Sequence, residues 1–210
     1  MALGIIGLIS ALTLPTLISN YKNRVFLSQT QKIYNEISNA VVQYRANNRV
    51  DSLDYAFGAA SASNDDLKNF LNQYFNVAKI CEDSGEGCLA DSYKNRAGNI
   101  TFSKSLALSS NVRACARLKS GTSICFLGCY MGACTFSFDV NGLSGPNIGG
   151  IDLFGLRLDY YGEYIEEPAT SVNNCNDPSV STGAYYSTRV LEGCFNRLIA
   201  SGWSMDYYNE

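Results

Sequence analysis

Four side chains with oxygen ligands lie close together in a glycine-rich stretch of the second half of the sequence. They are Asp139, Asn141, Asn147 and Asp152. Calcium prefers carboxylate and amide oxygens, and glycine gives a loop the freedom to wrap around an ion, although this spacing is not that of an EF-hand. The alternative is a set of Asn-Gly and Gly-Pro turns in which the same side chains bond their own backbone. The stretch is therefore a candidate calcium site, with both interpretations open.

The eight cysteines are an even and high number for 210 residues, and the sequence has no histidine. This composition favours four disulfides in an oxidising compartment. Zinc is the competing explanation, but zinc sites usually combine C-x2-C pairs with histidine, and neither occurs in this sequence. Cys81 and Cys88 enclose Gly85 and are natural partners. We expect disulfides to involve Cys81, Cys88, Cys115, Cys125, Cys129, Cys134, Cys175 and Cys194.

Catalytic chemistry finds little support in the sequence. Without histidine the chain lacks the commonest general base and the usual partner of Ser and Cys nucleophiles. Glu163, Glu166 and Glu167 are more typical of a solvated loop than of a glycosidase pair. A net charge of -3 gives no electrostatic footprint for nucleic acid. We predict a protein that is not an enzyme, binds no nucleic acid and requires no cofactor, with structural calcium as the one candidate ion.

The first 18 residues contain no charged side chain, and their leucines and isoleucines would cover a helix on all sides. Such a segment needs lipid or other helices around it. Its length is close to the roughly 20 residues that span a bilayer, and it lacks the basic start of a secretory signal. We therefore predict that residues 1–20 form an apolar helix of this kind.

Residues 21–48 continue the same helix with an amphipathic pattern. Its apolar positions recur at mostly helical spacing and include Phe26, Ile33, Ile37, Ala40, Val41 and Tyr44. The whole rod would be about 70 Å long at about 1.5 Å per residue. Because glycine and proline weaken helices, we expect the rod to unwind between Gly7 and Pro15. The basic residues Lys22, Arg24 and Lys32 precede Glu36, the first acidic residue, and fit a neighbour's carboxylate, lipid headgroups or plain solvent equally well.

Residues 49–210 are predicted to form one disulfide-rich α+β head. Leu67, Phe70, Leu71, Tyr74 and Phe75 give one face of a helix that Ser63 or Asn64 would cap. Strands are predicted at 114–118, 122–127 and 134–140, where apolar and polar residues alternate or flank a turn, and a short helix at 191–199. The many tyrosines, such as Tyr160, Tyr161, Tyr164, Tyr185 and Tyr186, suit half-buried sheet and interface positions better than an adhesive or electron-carrying surface.

The opening run LGIIGLISALTLP at residues 3–15 closely resembles the N-terminal helix of type IV pilins and type II secretion pseudopilins. The heads of prepilin-type proteins are similar to two further segments. One comprises DVNG at 139–142, GPN at 145–147, Gly150 and DLF at 152–154, and the other is GWSMDY at 202–207. The glutamate that pairs with a neighbouring subunit in that family would lie before Met1. Residues 49–112 are the part that the resemblance covers least.

The resemblance implies a pilin-like α+β fold, in which a long N-terminal α-helix packs on a disulfide-stapled antiparallel β-sheet head. It also implies a Cys175–Cys194 disulfide that closes a C-terminal loop. The helix would lie in inner-membrane lipid before assembly and then in the core of a helical homopolymer on the bacterial cell surface. The core residues would be Leu3, Gly4, Ile5, Ile6, Gly7, Leu8, Ile9, Leu12, Leu14, Pro15, Leu17 and Ile18.

The predicted function is therefore that of a structural subunit of an extracellular type IV pilus-like filament, built by pilus or secretion assembly machinery. Two alternatives remain. The chain is a minor pilin or pseudopilin of a secretion machine, or it is a membrane-tethered extracellular binding domain. Pro15 and the long amphipathic half of the rod favour the filament, because a simple tether needs neither.

Overall fold

A computed structural model describes residues 2–58, 62–96, 98, 101–108, 113–130, 132–165, 175 and 186–205 of the chain. Within these ranges side chains are described from Leu17 onward, except for Ser19, residues 106–107 and residues 186–190. The described part is α+β, with a five-stranded antiparallel sheet and four disulfides. This confirms the α+β class, the antiparallel sheet and the disulfides that the sequence predicted.

Five helices and seven strands make up the described part of the chain. The helices are α1 (Ala2–Asn48), α2 (Asp54–Phe57), α3 (Asn64–Tyr74), α4 (Lys104–Ala107) and α5 (Tyr186–Ala200). The strands are β1 (Val77–Ile80), β2 (Ser92–Lys94), β3 (Thr101–Ser103), β4 (Ala114–Leu118), β5 (Ser123–Tyr130), β6 (Ala133–Asp139) and β7 (Leu153–Asp159). The three strands and two head helices predicted from the sequence are all present, with bounds shifted by a few residues.

The main sheet has the order β1-β4-β5-β6-β7, and β2 pairs with β3 in a separate hairpin. Sequential antiparallel strands need only short turns, which the Lys119–Gly121 segment provides between β4 and β5. The register places Cys115 opposite Cys125 and Cys129 opposite Cys134, and both pairs are disulfides. Two of the four disulfides therefore join neighbouring strands, a pairing that the sequence left open.

The other two disulfides are Cys81–Cys88 and Cys175–Cys194, the pairs that the sequence analysis expected. The first closes a short loop after β1, and the second joins Cys175 to α5. No described cysteine is free. Because all four bonds close loops within the head, they stabilise it mainly by restricting the unfolded chain.

The backbone of α1 is helical from Ala2 to Asn48, through Gly7 and Pro15. The expected unwinding between these residues is therefore wrong for the single chain. One proline removes one hydrogen bond, and long helical segments on both sides allow the ladder to resume. Further along α1, Ile33, Ile37, Ala40 and Val41 are buried in the core cluster of the head. These positions match the predicted amphipathic stripe.

Helix α3 begins with a capping box formed by Ser63 and Asp66. The Ser63 hydroxyl accepts a hydrogen bond from the Asp66 amide at 3.2 Å, and the Ser63 amide donates to the Asp66 carboxylate at 2.9 Å. Two backbone donors at the helix start are thereby satisfied, which settles the choice between Ser63 and Asn64. The helix then buries Leu67, Phe70 and Leu71.

Aromatic side chains fill the space between the sheet and the helices. Phe126 of β5 stacks on Phe136 of β6 with ring centroids 4.3 Å apart. Phe57 of α2 and Phe70 of α3 each lie 5.2 Å from Phe126 in tilted or edge-on contact. Offset and edge-on pairs of this kind are the favourable aromatic geometries. Phe126 therefore links two strands and two helices.

Both faces of the central strands are buried, although the alternation in β6 is typical of a strand with one face in water. Ser137 and Asp139 are fully buried together with their apolar neighbours. The segment from Cys81 to Lys94 covers this second face: Ser123 donates a hydrogen bond to the Cys88 carbonyl at 2.7 Å, and Tyr93 donates to Asp139 at 2.8 Å. The polar residues of the sheet are therefore interior groups with specific partners.

Replacing Phe126 with alanine is expected to lower the free energy of unfolding by about 3 to 5 kcal/mol, because a fully buried ring leaves a cavity that four elements line. The matched control is Tyr130→Ala on the same strand, where the side chain is 67% exposed and the change should stay within about 0.5 kcal/mol. Urea unfolding of the purified chain, followed by near-ultraviolet circular dichroism, measures both. Equal losses in the two variants would contradict this description of the core.

Candidate functional site

The loop between β6 and β7 brings Asp139 and Asp152 together. Asp139 is the last residue of β6, and Asp152 immediately precedes β7. Since β6 and β7 are antiparallel neighbours, Asp139 lies opposite Leu153, and the Val140 amide donates to the Asp152 carbonyl at 2.9 Å. The strand register therefore joins the two ends of the candidate calcium loop.

The Asp139 carboxylate has partners on two sides. Its Oδ2 accepts a hydrogen bond from the Tyr93 hydroxyl at 2.8 Å, and its Oδ1 accepts one from the Asn141 amide at 3.1 Å. Tyr93 is fully buried, and its ring stacks on Phe102 of the β2–β3 hairpin. Sequence reasoning missed Tyr93, because it lies 46 residues before Asp139 and no local pattern marks it.

The Asp152 carboxylate organises the second half of the loop. Its Oδ2 accepts from the Asn147 amide at 2.7 Å, and its Oδ1 accepts from the Ile148 amide at 2.6 Å. Asn147 has a left-handed backbone (φ 57°), which asparagine tolerates better than most residues. These bonds are of the kind that the turn interpretation of the sequence predicted, with Asp side chains bonding nearby backbone amides.

Both aspartates are fully buried, and neither forms an ion pair with a lysine or arginine among the described residues. Burial, followed by repulsion from Asp152, raises the pKa of Asp139 to about 8. Burial also raises the pKa of Asp152, against the opposing effect of its backbone hydrogen bonds. The loop thus holds two carboxyl groups whose negative charges lack a compensating cation, so that a proton or a metal ion would stabilise them.

Two amide oxygens of the same loop also lack partners. The side-chain Oδ1 atoms of Asn141 and Asn147 are buried, and neither has a hydrogen-bond partner in the described structure. An unsatisfied buried oxygen is costly and calls for an explanation such as an ion. Together with Asp139 and Asp152, these atoms give the donor set that calcium prefers. The four residues chosen from the sequence therefore share one loop and fit a calcium ion chemically.

The described residues contain no group of three or more His, Cys, Asp or Glu side chains that could hold a metal. Any ion in the β6–β7 loop would therefore depend on amide and carbonyl oxygens as well as on the two carboxylates. Sites with few charges bind calcium weakly, as extracellular modules do. The donor set predicts a low-affinity structural ion.

Helix α1 supplies the second candidate site, a junction between exposed and buried apolar residues. Leu17, Ile18 and Tyr21 are 69%, 52% and 69% exposed. From Thr30 onward the inner face of the helix is buried in the head. The predicted filament-core residues from Leu3 to Pro15 lie outside the described side chains. In the part whose side chains are described, no helix is long and apolar enough to span a bilayer.

The remaining residues singled out from the sequence are dispersed. Glu163 is exposed, and Glu166 and Glu167 lie outside the described residues. Tyr160 and Tyr164 are half-buried, Tyr161 is exposed beneath the Arg45 guanidinium, and the side chains of Tyr185 and Tyr186 are not described.

Lys22 and Arg24 are exposed, whereas the Lys32 ammonium lies 3.8 Å from the Glu36 carboxylate on α1. None of the described residues of this set belongs to the β6–β7 loop.

In a chelating buffer, the chain is expected to lose stability as pH rises from about 5 to about 8. The pKa of Asp139 in the folded state is above its unfolded value of about 3.9, so the folded protein holds a proton that the unfolded chain has released in this window. For one such group the free energy of unfolding falls by up to about 1.4 kcal/mol per pH unit. Thermal unfolding at several pH values between 5 and 8 measures this slope.

The matched variants are Asp139→Asn, which should flatten this slope, and Asp159→Asn, which should keep it. Asp159 also accepts backbone hydrogen bonds in a turn, from Tyr161 and Glu163, but it is only half-buried. A stability that is constant or rises between pH 5 and pH 8 would show that the buried pair does not control the pH response.

No family model, curated protein or solved structure matches this chain. The functional candidates therefore depend on the residues themselves. One is the junction on α1 between the exposed Leu17 to Tyr21 segment and the buried inner face. The other is the β6–β7 loop with its two buried aspartates.

Proposed function

We propose that this protein is a structural subunit of an extracellular type IV pilus-like filament, which polymerises through its N-terminal hydrophobic helix and catalyses no reaction. The observation that carries this proposal is the change of environment along α1. The same helix leaves Leu17, Ile18 and Tyr21 exposed and then buries Ile33, Ile37 and Val41 in the head. A helix of this kind attaches a head at one end and needs another apolar environment at the other.

The sequence before Leu17 continues the apolar pattern. Residues 1–18 have no charged side chain. Packing such helices from many copies removes from lipid and water an apolar surface that a single head cannot cover. Repeating one heterologous contact between copies then produces a filament. Before assembly, inner-membrane lipid would provide the apolar environment.

The head is also consistent with a subunit exposed at the cell surface. Four disulfides indicate an oxidising compartment. We propose that the complete arrangement is pilin-like, with the long N-terminal helix packed on the antiparallel sheet of the head. The resemblance of residues 3–15, 139–154 and 202–207 to prepilin-type proteins supports this arrangement.

The alternative roles remain a minor pilin or pseudopilin of a secretion machine and a membrane-tethered binding domain. They predict different locations for the chain. A major subunit is the bulk component of sheared surface filaments, whereas a minor component is rare in them and a tethered domain stays with the membrane. Electron microscopy of sheared cell-surface material with an antibody to the head distinguishes the three roles.

Replacing Leu17 with aspartate is expected to abolish filaments, because it places a charge in the apolar stretch that neighbouring helices would cover. The control is Tyr55→Asp, which introduces the same charge at an exposed apolar side chain of the head. Filaments per cell are counted after shearing, and the membrane fraction is blotted to show that each variant is produced. Normal filament numbers with Leu17→Asp would refute the proposed interface.

We further propose that the β6–β7 loop binds a structural calcium ion. The buried carboxylates of Asp139 and Asp152 and the unpartnered Oδ1 atoms of Asn141 and Asn147 support this proposal. A bound divalent cation would neutralise two negative charges that burial and mutual repulsion now disfavour. It would hold the loop in place without taking part in any reaction.

Calcium is expected to raise the unfolding temperature of the wild-type chain, and more at pH 8 than at pH 5, because the ion competes with the proton for the carboxylates. Asp152→Asn should remove the effect, whereas Asp159→Asn should retain it. Differential scanning calorimetry with millimolar calcium, magnesium or chelator measures the shift. Equal unfolding temperatures with calcium and with chelator at pH 8 would contradict a calcium site.

A further inference from the structure

A polar pocket lies where the head first covers helix α1. Its volume is about 280 Å³. One wall is formed by α1 and the other by the turn that follows α5, and its polar lining includes Asn20, Asn23, Arg24, Trp203 and Ser204. Asn20 and Arg24 are exposed and Asn23 is half-buried, so the pocket opens at the base of the head.

The Trp203 wall of this pocket is fixed by its contacts. The Trp203 amide donates to the Leu198 carbonyl at 3.0 Å, which ends α5. Its indole ring lies 5.9 Å from the rings of both Tyr34 and Phe195. The backbone of Trp203 is left-handed (φ 61°), a conformation that a bulky residue adopts rarely and that surrounding structure must hold in place.

The position of the pocket along α1 matches the interfacial region of a bilayer. Ile18 is the last aliphatic residue of the leading apolar run, and Arg24 follows it by about 9 Å at about 1.5 Å per residue. Long arginine side chains keep their stems along apolar surface and extend the charged head toward the polar layer, so the Arg24 guanidinium can reach the boundary of the apolar segment. The headgroup layer on each side of a bilayer is about 5 to 8 Å thick. The guanidinium therefore falls near this layer.

The chemistry of the pocket fits an anionic phosphate group. The guanidinium of arginine presents a planar fork of donors that matches phosphate oxygens. Asn23 and Ser204 add neutral hydrogen-bonding groups, and tryptophan is enriched at the boundary between lipid and water. Lys22 adds positive charge, and the first acidic residue in the sequence is Glu36.

We propose that this pocket binds the headgroup of an anionic phospholipid, with the phosphate on Arg24 and the headgroup beside Trp203. The inference rests on the proposed membrane stage of the filament subunit and identifies a lipid partner for that stage. A bound headgroup fixes the depth and rotation of the head on the bilayer. Assembly would then require the chain to release this lipid.

Trp203 provides a direct readout, because it is the one tryptophan of the sequence. The full-length chain is placed in nanodiscs of phosphatidylcholine with increasing fractions of phosphatidylglycerol, and the tryptophan emission is recorded. We expect a blue shift that saturates with phosphatidylglycerol. With Arg24→Gln, the fraction of phosphatidylglycerol that gives half of the blue shift should rise at least about threefold, because the variant loses a charge-assisted contact with the phosphate.

Two further variants separate a specific pocket from general attraction to negative lipid. Lys32→Gln removes one positive charge from the same helix about 12 Å further along, at about 1.5 Å per residue, and should leave the lipid titration unchanged. Arg24→Lys keeps the charge without the fork of donors, and should lie between wild type and Arg24→Gln. Equal effects of Arg24→Gln and Lys32→Gln would overturn the pocket in favour of diffuse electrostatics.

The remaining outcomes are also decisive. If the chain enters nanodiscs but its tryptophan emission wavelength does not change with the fraction of phosphatidylglycerol, the pocket inference fails and the proposed function stands. If the chain enters no bilayer, both fail. If glycerol phosphate in detergent gives the same shift as the lipid, the site is one for free phosphate. If the emission changes only on assembly into filaments, a neighbouring subunit is the occupant, and the lipid proposal is wrong.

Discussion

The head depends on burying the central strands of its sheet on both faces at once. On one face, Phe126 and Phe136 stack on each other and meet the aromatic rings of α2 and α3. On the other, the segment from Cys81 to Lys94 covers polar residues of β5 and β6. A sheet enclosed in this way cannot leave its polar side chains in water, so each must have a partner inside the protein.

The burial of both faces of the sheet is the main reason why the pKa of Asp139, at the end of β6, is raised. A carboxylate on a solvent-facing strand position would be ordinary, but under the β2–β3 hairpin the charged form of Asp139 is disfavoured. Tyr93 provides one hydrogen bond, yet a neutral donor does not replace a cation. The candidate calcium site is thus a consequence of the covering segment as much as of the loop that carries the ligands.

The sequence predicted the elements that have a local signal. The stripe of Ile33, Ile37 and Val41 marked the inner face of α1, and the choice of Ser63 or Asn64 as a cap marked the start of α3 to within one residue. It did not predict that Cys115 pairs with Cys125, since this depends on strand register. Nor did it predict Tyr93 as a partner of Asp139, because the contact joins residues far apart in the chain. Local periodicity predicts elements, whereas contacts between elements depend on packing that no single segment encodes.

The β6–β7 loop and the base of the head are joined by close packing through α5. A side chain at Gly150 would meet the sulfur atoms of both Cys175 and Cys194 within 3.0 Å, and one at Gly149 would meet Leu191 at 3.1 Å. Tight contacts of this kind transmit displacement, because packed interiors have little free volume. The turn that follows the same helix carries Trp203, which forms a wall of the pocket beside Arg24. A side chain that displaced the loop at Gly149 or Gly150 would therefore press on α5, the helix whose following turn forms part of the base of the head.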